Sequence, residues 1–423
     1  MSGTGLRTDH YELTMVQAAR ASGAAGRRAT FEVFARSLPA GRRYGVVAGT
    51  GRLASAIDAF GFGDPELAHL AKARVVDDET LRWLAGYRFR GTVAGYPEGE
   101  TYFPGSPVVR VEGTFAETVL LETLVLSILN HDTAVASAAS RMVAAASPSA
   151  ALVEMGGRRT HEDAAVDAAR AAYVAGFAAT SNLEAGRRYG IPTTGTAAHA
   201  FTLLHDSERE AFGAQLRSLG TATTLLVDTY DTERAIRTGV ECARELGAHG
   251  PGAIRIDSGD LREETQRARV LLDGLGATAT RIVVSGDLDE YAIARLEQSP
   301  RAPIDAYGVG THVVAGSGHP TAGFVYKLVE VDGRPVEKRS HGKATLGGAK
   351  RAWRVTGPDG KVRAEVLRRD DEPVPGARPL LVECCDHPAR DGRRHAASAR
   401  SELPDHALAL EPGEPFIRAV LEE

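Results

Sequence analysis

Between residues 151 and 311 one rhythm repeats, and it limits the fold more than any other feature of the chain. A short apolar run gives way each time to a helical stretch. ALVEMG (151–156) precedes HEDAAVDAARAAYVAG, and TTLLVDT (223–229) precedes YDTERAIRTGVECARELG. AIRIDSG (253–259) precedes DLREETQRARVLLDGLG, RIVVSGD (281–287) precedes LDEYAIARLEQS, and AYGVGT (306–311) follows. Strands without polar alternation need cover on both faces, which parallel βαβ units supply. Shorter candidates near 178–182 and 193–198 bring the number to six or seven. That pattern predicts an irregular TIM-like parallel α/β barrel. A doubly wound open sheet is the alternative.

The flanking segments read differently. ATFEVFARSL (29–38) is a strand with Phe31, Val33 and Ala35 at alternate positions. Residues 91–113 hold short strands broken by Pro and Gly, as antiparallel pieces with turns would be. From Phe115 to about Ala146 the pattern is helical and apolar on most sides, which predicts one central packed helix. After residue 323 the pattern is β again, with hairpin signals at VDGR (331–334) and PDGK (358–361). The expected organisation is an N-terminal α+β domain (1–150), a barrel carrying the site (151–322), and a C-terminal β-rich segment with tail (323–423) that packs on the first domain.

Charge and cysteine content exclude several functions. Net charge is −5 and the pI near 6.3, so no strong basic field attracts nucleic acid. No basic amphipathic helix points to a membrane surface. Three cysteines, Cys242, Cys384 and Cys385, cannot build a disulfide framework, and a reducing, cytoplasmic location is expected. The opening MSGTGLRTDHYELTM lacks an apolar core of signal-peptide length. Val119–Leu129 is too short to span a bilayer and contains Glu122, so it reads as a buried helix.

Parallel α/β folds bind ligands at the carboxyl ends of their strands. Collected there are Gly157, Arg158, Arg159 and Thr160, then Thr180, Ser181 and Asn182, then Gly195, Thr196 and His199. Asp228–Asp231, Arg255, Asp257–Asp260, Ser285–Asp287 and Gly308–Thr311 follow. Glycines at helix starts expose N–H groups to phosphate, Arg binds phosphate or carboxylate bidentately, and carboxylates hold Mg²⁺ or ribose hydroxyls. Together the set suits a phosphorylated sugar with more than one phosphate. Structural readings stand beside these. Asp260 with Glu263, and Asp287 with Glu290, have capping-box spacing. Arg158–Arg159 reads equally as a solvated pair. His199, in GTAAHAF, is expected to be partly desolvated among alanines and therefore neutral. That makes it a nucleophile, a base, a ligand or a satisfied core histidine. HGKAT (341–345) lacks the upstream glycine of a Walker A motif, and no G-x-G-x-x-G follows a strand.

Taken in order, TDHYELTM, FEVFARSLP, EMGGRRTHEDA, TSNLEAGRRYGIPTTGTAAHAF, LLVDTYDT, IRIDSGDL, VVSGDLDE, YGVGTHVV and YKLVEVDGRPVEKRSHGKATLGGAKRAWR resemble the nicotinate phosphoribosyltransferase family, in its bacterial branch. Only the last ~60 residues are poorly covered. The resemblance implies formation of nicotinate mononucleotide and pyrophosphate from nicotinate and phosphoribosyl pyrophosphate. It also implies coupling to ATP hydrolysis through phosphorylation of the histidine in GT-x-x-H, here His199. The implied catalytic set is His199, Arg158 and Asp257. Implied substrate contacts are Arg159, Thr196, Arg255, Gly286, Asp287, Gly308, Gly310, Thr311 and Arg36, with Tyr11 stacking on the pyridine across a homodimer interface. ATP and Mg²⁺ are the implied cofactors, and no residue is assigned as a metal ligand. Relatives specific for nicotinamide carry an Asp where this chain has Ser181. A carboxylate there would repel nicotinate, so Ser181 favours the acid. Nicotinamide or quinolinate phosphoribosyltransferases, or a non-catalytic binder of phosphoribosyl ligands, are the competing readings. One departure is Gly347–Gly348, where many relatives have Pro-Gly.

Overall fold

A computed structural model, describing residues 3–298, 304–338, 346–369 and 372–422, divides the chain into two units. One comprises Met1–Ser137 and His319–Glu423, the other Ala138–Gly318. The first opens with a helix, His10–Ala21, followed by strands β1 (Arg28–Ala35), β2 (Gly45–Val46), β3 (Thr92–Gly95), β4 (Thr101–Tyr102) and β5 (Val109–Thr114). Alternation in β1 predicts one buried face, and Phe31, Val33 and Ala35 are buried. The opposite face is buried too, including Glu32 at 0% exposure. The Lys350 segment covers Glu32, with the Lys350 N–H donating to Oε1 at 2.7 Å and its ammonium 2.8 Å from Oε2.

The long helix expected over 115–146 is two helices, Phe115–Val119 and Glu122–Ala145. Thr114 and Glu117 form a capping box at the first, and the chain breaks at Leu120–Leu121. Phe115–Ala145 is long and apolar enough to cross a membrane by length and composition, yet most of it is buried inside the protein. Leu124, Val125, Ile128 and Leu129 join the core of the first unit, as the sequence reading of Val119–Leu129 predicts.

The second unit carries β6 (Ala151–Glu154), β7 (Ala179–Thr180), β8 (Thr224–Leu226), β9 (Ala253–Ile256), β10 (Arg281–Ser285) and β11 (Ala306–Val309). Every pairing among them is parallel, in the order β7-β6-β11-β10-β9-β8. Thr193 adds one parallel bridge to Thr180 on the outer side of β7. The last strand therefore lies beside the first, unlike a doubly wound sheet, where the last strand is an edge. Closure into a barrel is not complete. Among the described residues no ladder joins Thr193 to β8, and the third strand is reduced to that bridge. Pro192 lacks an N–H and Gly195 lacks a side chain to pack, so the segment between them makes a poor strand. Helices begin just past the strand ends because polar caps stand there. Asn182, Asp231, Asp260 and Asp289 each accept from a first-turn N–H.

From residue 319 the chain rejoins the first unit. β12 (Phe324–Val331) lies antiparallel beside β1, turns through Asp332–Gly333 with φ of 48° and 73°, and enters β13 (Arg334–Pro335). β14 (Arg351–Thr356) and β15 (Val362–Arg368) form the hairpin that PDGK predicts. β16 (Arg378–Pro379), β17 (Val382–Glu383) and β18 (Ala419–Leu421) complete two sheets, β13-β12-β1-β5-β3-β17 and β16-β14-β15-β18. Beneath them Arg354 is fully buried, 2.9 Å from Glu365 and 3.4 Å from Glu100.

Candidate active site

A chain of polar contacts runs across the carboxyl ends of consecutive strands in the second unit. His199 begins a short helix, His199–Leu203. Its Nδ1 lies 3.1 Å from Thr229 Oγ1, and its Nε2 lies 3.9 Å from Asp228 Oδ1. Asp228 Oδ2 accepts from the Asp257 N–H at 2.9 Å and the Ser258 hydroxyl at 2.7 Å, while its buried Oδ1 accepts no hydrogen bond. Asp257 Oδ1 accepts in turn from the Ser285 hydroxyl. The ring is partly buried, as its small neighbours predict. The His199 side chain is 40% exposed, because it starts a helix at a loop end and does not face the core.

Beside this chain is a cavity of about 340 Å³, lined by Met155, Gly157, Arg158, Ser181, Gly195–Ala198 and Arg255. Arg255 Nη1 donates to Thr196 Oγ1 at 2.6 Å, and its buried Nε has no partner. Arg158 and Arg159 are both exposed on the turn after β6, where the Arg159 N–H bonds the Gly156 carbonyl at 2.8 Å.

Further along the same sheet end, Gly286 has φ 109°, and a Cβ there would lie 2.5 Å from the Asp257 carbonyl oxygen. Only glycine fits without movement. Asp287 follows with φ 36°, a conformation non-glycine residues rarely adopt. Its carboxylate is 84% exposed, 3.2 Å from His312 Nε2. The capping reading holds for Asp260 and fails for Asp287, since the helix Glu290–Glu297 takes Asp289 as its cap. Asp287 is thereby left to face the loops. Gly308 is buried within β11, and Gly310 stands as N-cap to Thr311–Val314, with Thr311 exposed.

The structure thus brings together Arg158, Ser181, Thr196 and Arg255 around one cavity, and His199 and Asp257 along one hydrogen-bonded chain. Tyr11 and Arg36 belong to the first unit. Tyr11 lies in the first turn of His10–Ala21 and is 45% exposed. Burial and the Glu122 and Glu12 carboxylates push its phenol up to about 12. Arg36 lines a hollow of about 240 Å³ with Phe34, Lys350 and Arg418, and its Nε is buried without a partner. HGKAT lies outside the described residues. At Gly347–Gly348, Gly348 takes φ 87°. Sequence reasoning placed Asp228, Thr229 and Ser285 at strand ends without assigning them a part. Met155 it left out. An Asp-Thr pair directly after an apolar strand was the available signal.

Arginines around a cavity and hydrogen-bonded carboxylates thus meet at the carboxyl end of a parallel sheet, where α/β folds bind their ligands. Known proteins identify the family. Residues 6–130 match the model of the nicotinate phosphoribosyltransferase N-terminal domain. A nicotinate phosphoribosyltransferase of Mycobacterium tuberculosis is 55% identical over 98% of this chain and 94% of its own length. The human nicotinate phosphoribosyltransferase is 32% identical over 88% of this chain and 80% of its own. The crystal structure of human nicotinic acid phosphoribosyltransferase superposes with a TM-score of 0.86 at 28% identity, covering 98% of each chain. The chain belongs to the nicotinate phosphoribosyltransferase family.

Proposed function

We propose that this enzyme forms nicotinate mononucleotide and pyrophosphate from nicotinate and phosphoribosyl pyrophosphate, a step of NAD salvage. Near-full-length identity of 55% to a relative of that name carries the reading. The cavity supports it. Arg158 and Arg255 supply cations, Ser181 supplies a neutral hydroxyl and no like charge, and the volume of about 340 Å³ suits a small aromatic acid. Displacement at the ribose C1 passes through an oxocarbenium-like state, so the protein's part is to hold the pyridine nitrogen at C1 and neutralise the leaving group. In this reading Asp257 serves the ribose, Gly286–Asp287 and Gly308–Thr311 the ribose and its 5′-phosphate, and Arg159 phosphate or carboxylate.

His199 is the residue that ATP would phosphorylate. Thr229 engages Nδ1, and Nε2 lies 3.9 Å from Asp228 Oδ1 on a ring that is 40% exposed. Among the described residues no three His, Cys, Asp or Glu side chains gather as a metal cage. Mg²⁺ carried on substrate phosphates needs only one or two carboxylates from the protein. The unpartnered buried Oδ1 of Asp228 fits as such a ligand. Bound there, the ion would neutralise charge developing on pyrophosphate. The strand order, with β11 returning beside β6, supports an irregular barrel with a seam between Thr193 and β8. Exposed Tyr11 fits a homodimer in which each protomer offers that ring to its partner. Free thiols at Cys242, Cys384 and Cys385 suit a reducing cytoplasm.

The test is turnover of nicotinate, nicotinamide and quinolinate, each with phosphoribosyl pyrophosphate and Mg²⁺. Product from nicotinate alone is expected. Preference for another pyridine overturns the reading.

A further inference from the structure

Glu154, the last residue of β6, is the most enclosed carboxyl near the cavity and has no part in the reaction as derived above. It is fully buried. Among the described residues no cation pairs with it, and both of its oxygens are spent on neighbouring loops. Oε1 accepts from the Gly156 N–H, and Oε2 accepts from the Thr180 hydroxyl at 2.5 Å. Its backbone carbonyl accepts from the Ser181 N–H at 2.8 Å. Each contact continues outward. The Gly156 carbonyl holds the Arg159 N–H at 2.8 Å, and Thr180 Oγ1 accepts from the Asn182 N–H at 3.0 Å. The Gly156 turn has no slack, since a Cβ on it would lie 2.3 Å from Val314 Cγ1 and 2.8 Å from the Gly310 carbonyl oxygen. Burial pushes the Glu154 carboxyl up, against the lowering effect of these two donors. A carboxyl held in that setting is kept in place by geometry and not by an ion pair.

We propose that Glu154 is a positioning residue that sets substrate specificity, by tying the Arg158 loop to the Ser181 loop and so fixing the width of the cavity between them. The inference rests on the reading of that cavity as the nicotinate site. Arg158 and Ser181 face the same cavity from two strand ends, and Glu154 is the side chain bonded to both loops. A wall of this kind discriminates by placing an Arg cation and a neutral hydroxyl at a fixed separation, so loosening it should harm choice of pyridine more than binding of the sugar phosphates.

The test uses Glu154→Gln and Glu154→Asp in the full chain, with Thr180→Val as a milder companion that removes one of the two bonds. Glutamine can accept at only one oxygen, and aspartate falls a methylene short of both donors. Two readouts are taken. Hydrogen exchange of the segments 156–160 and 180–182 is expected to speed up together in Glu154→Gln while the rest of the second unit is unchanged. KM for nicotinate is expected to rise on the order of tenfold, with the preference over nicotinamide falling, while KM for phosphoribosyl pyrophosphate moves little. Unchanged exchange in both segments overturns the tie. Faster exchange with KM and preference unchanged overturns the specificity role. Equal losses toward all substrates mark Glu154 as merely structural and also overturn it. A wild type that turns over no nicotinate defeats the parent reading and the specificity role, a failure separable from the exchange result.

Discussion

At position 181 the side chain is a hydroxyl on the wall of a cavity that also holds Arg158 and Arg255. Replacing it by aspartate adds two heavy atoms and, more consequentially, a negative charge that an anionic pyridine meets. Ser181→Asp is expected to lower kcat/KM for nicotinate on the order of 10- to 100-fold, as a unit charge a few ångströms away in a partly shielded site would. Turnover of nicotinamide should fall less. Parallel steady-state kinetics on both pyridines check this, and equal losses would count against Ser181 facing the carboxylate. Residue-level chemistry was partly legible. GTAAHAF marks His199 by its small neighbours, but not its partners. Thr229 and Asp228 lie about 30 positions away in sequence, and only the fold joins them to the histidine. Glu154 was hidden for a different reason. In an apolar strand a lone Glu reads as a strand end, and nothing local announces two loops bonded to it.

Elements were read more securely than their boundaries. The apolar-run rhythm located all six described strands of the parallel sheet, because burial on both faces leaves a signal in every residue. The third strand was weaker, since Pro192 and Gly195 allow only a bridge. Caps were ambiguous. Asp260 and Asp287 share one spacing, yet only Asp260 caps, because the loop after β10 bends back at Gly286 and delays its helix to Glu290. That bend is the mechanical basis of the Asp287 position. In Gly286→Ala a methyl group would meet the Asp257 carbonyl at 2.5 Å with φ at 109°. The loop must shift, and kcat/KM for phosphoribosyl pyrophosphate should drop at least about tenfold, with the shift costing on the order of 1–3 kcal/mol. Kinetics combined with a thermal melt separate the local effect from unfolding. Retention of wild-type KM would show that the loop is not part of the site.

For the whole molecule, stability in acid is set by buried carboxylates in the first unit. Burial alone would raise the Glu100 carboxyl. The His395 hydrogen bond at 2.9 Å, Arg354 and Arg378 instead hold it down to about 2, from an ordinary value of 4.5. A depressed carboxyl stabilises the fold above its unfolded value, and this contribution fades as pH falls from 4.5 toward 2. Wild type should therefore lose stability steeply across that window. Glu100→Gln should lose that part of the pH dependence and be destabilised at pH 7 by about 3–5 kcal/mol, since Arg354 stays buried with one anion fewer. Urea melts at pH 7 and at pH 3, inside that window, measure both. A variant with wild-type stability at pH 7 would contradict the assignment. This network was not legible from the chain. Glu100, the Arg354–Glu365 pair of the β14–β15 hairpin and His395 come from three separate segments, and a charged residue in a β pattern ordinarily signals an exposed face.

In the proposed reaction, formation of nicotinate mononucleotide is coupled to ATP through His199. The direct measurement is steady-state product formation from nicotinate, phosphoribosyl pyrophosphate and Mg²⁺, with and without ATP, for wild type and His199→Ala. ATP should stimulate the wild type, and the variant should keep slow turnover that ATP does not change. Equal stimulation of the variant by ATP would contradict that coupling and leave His199 without a part in it.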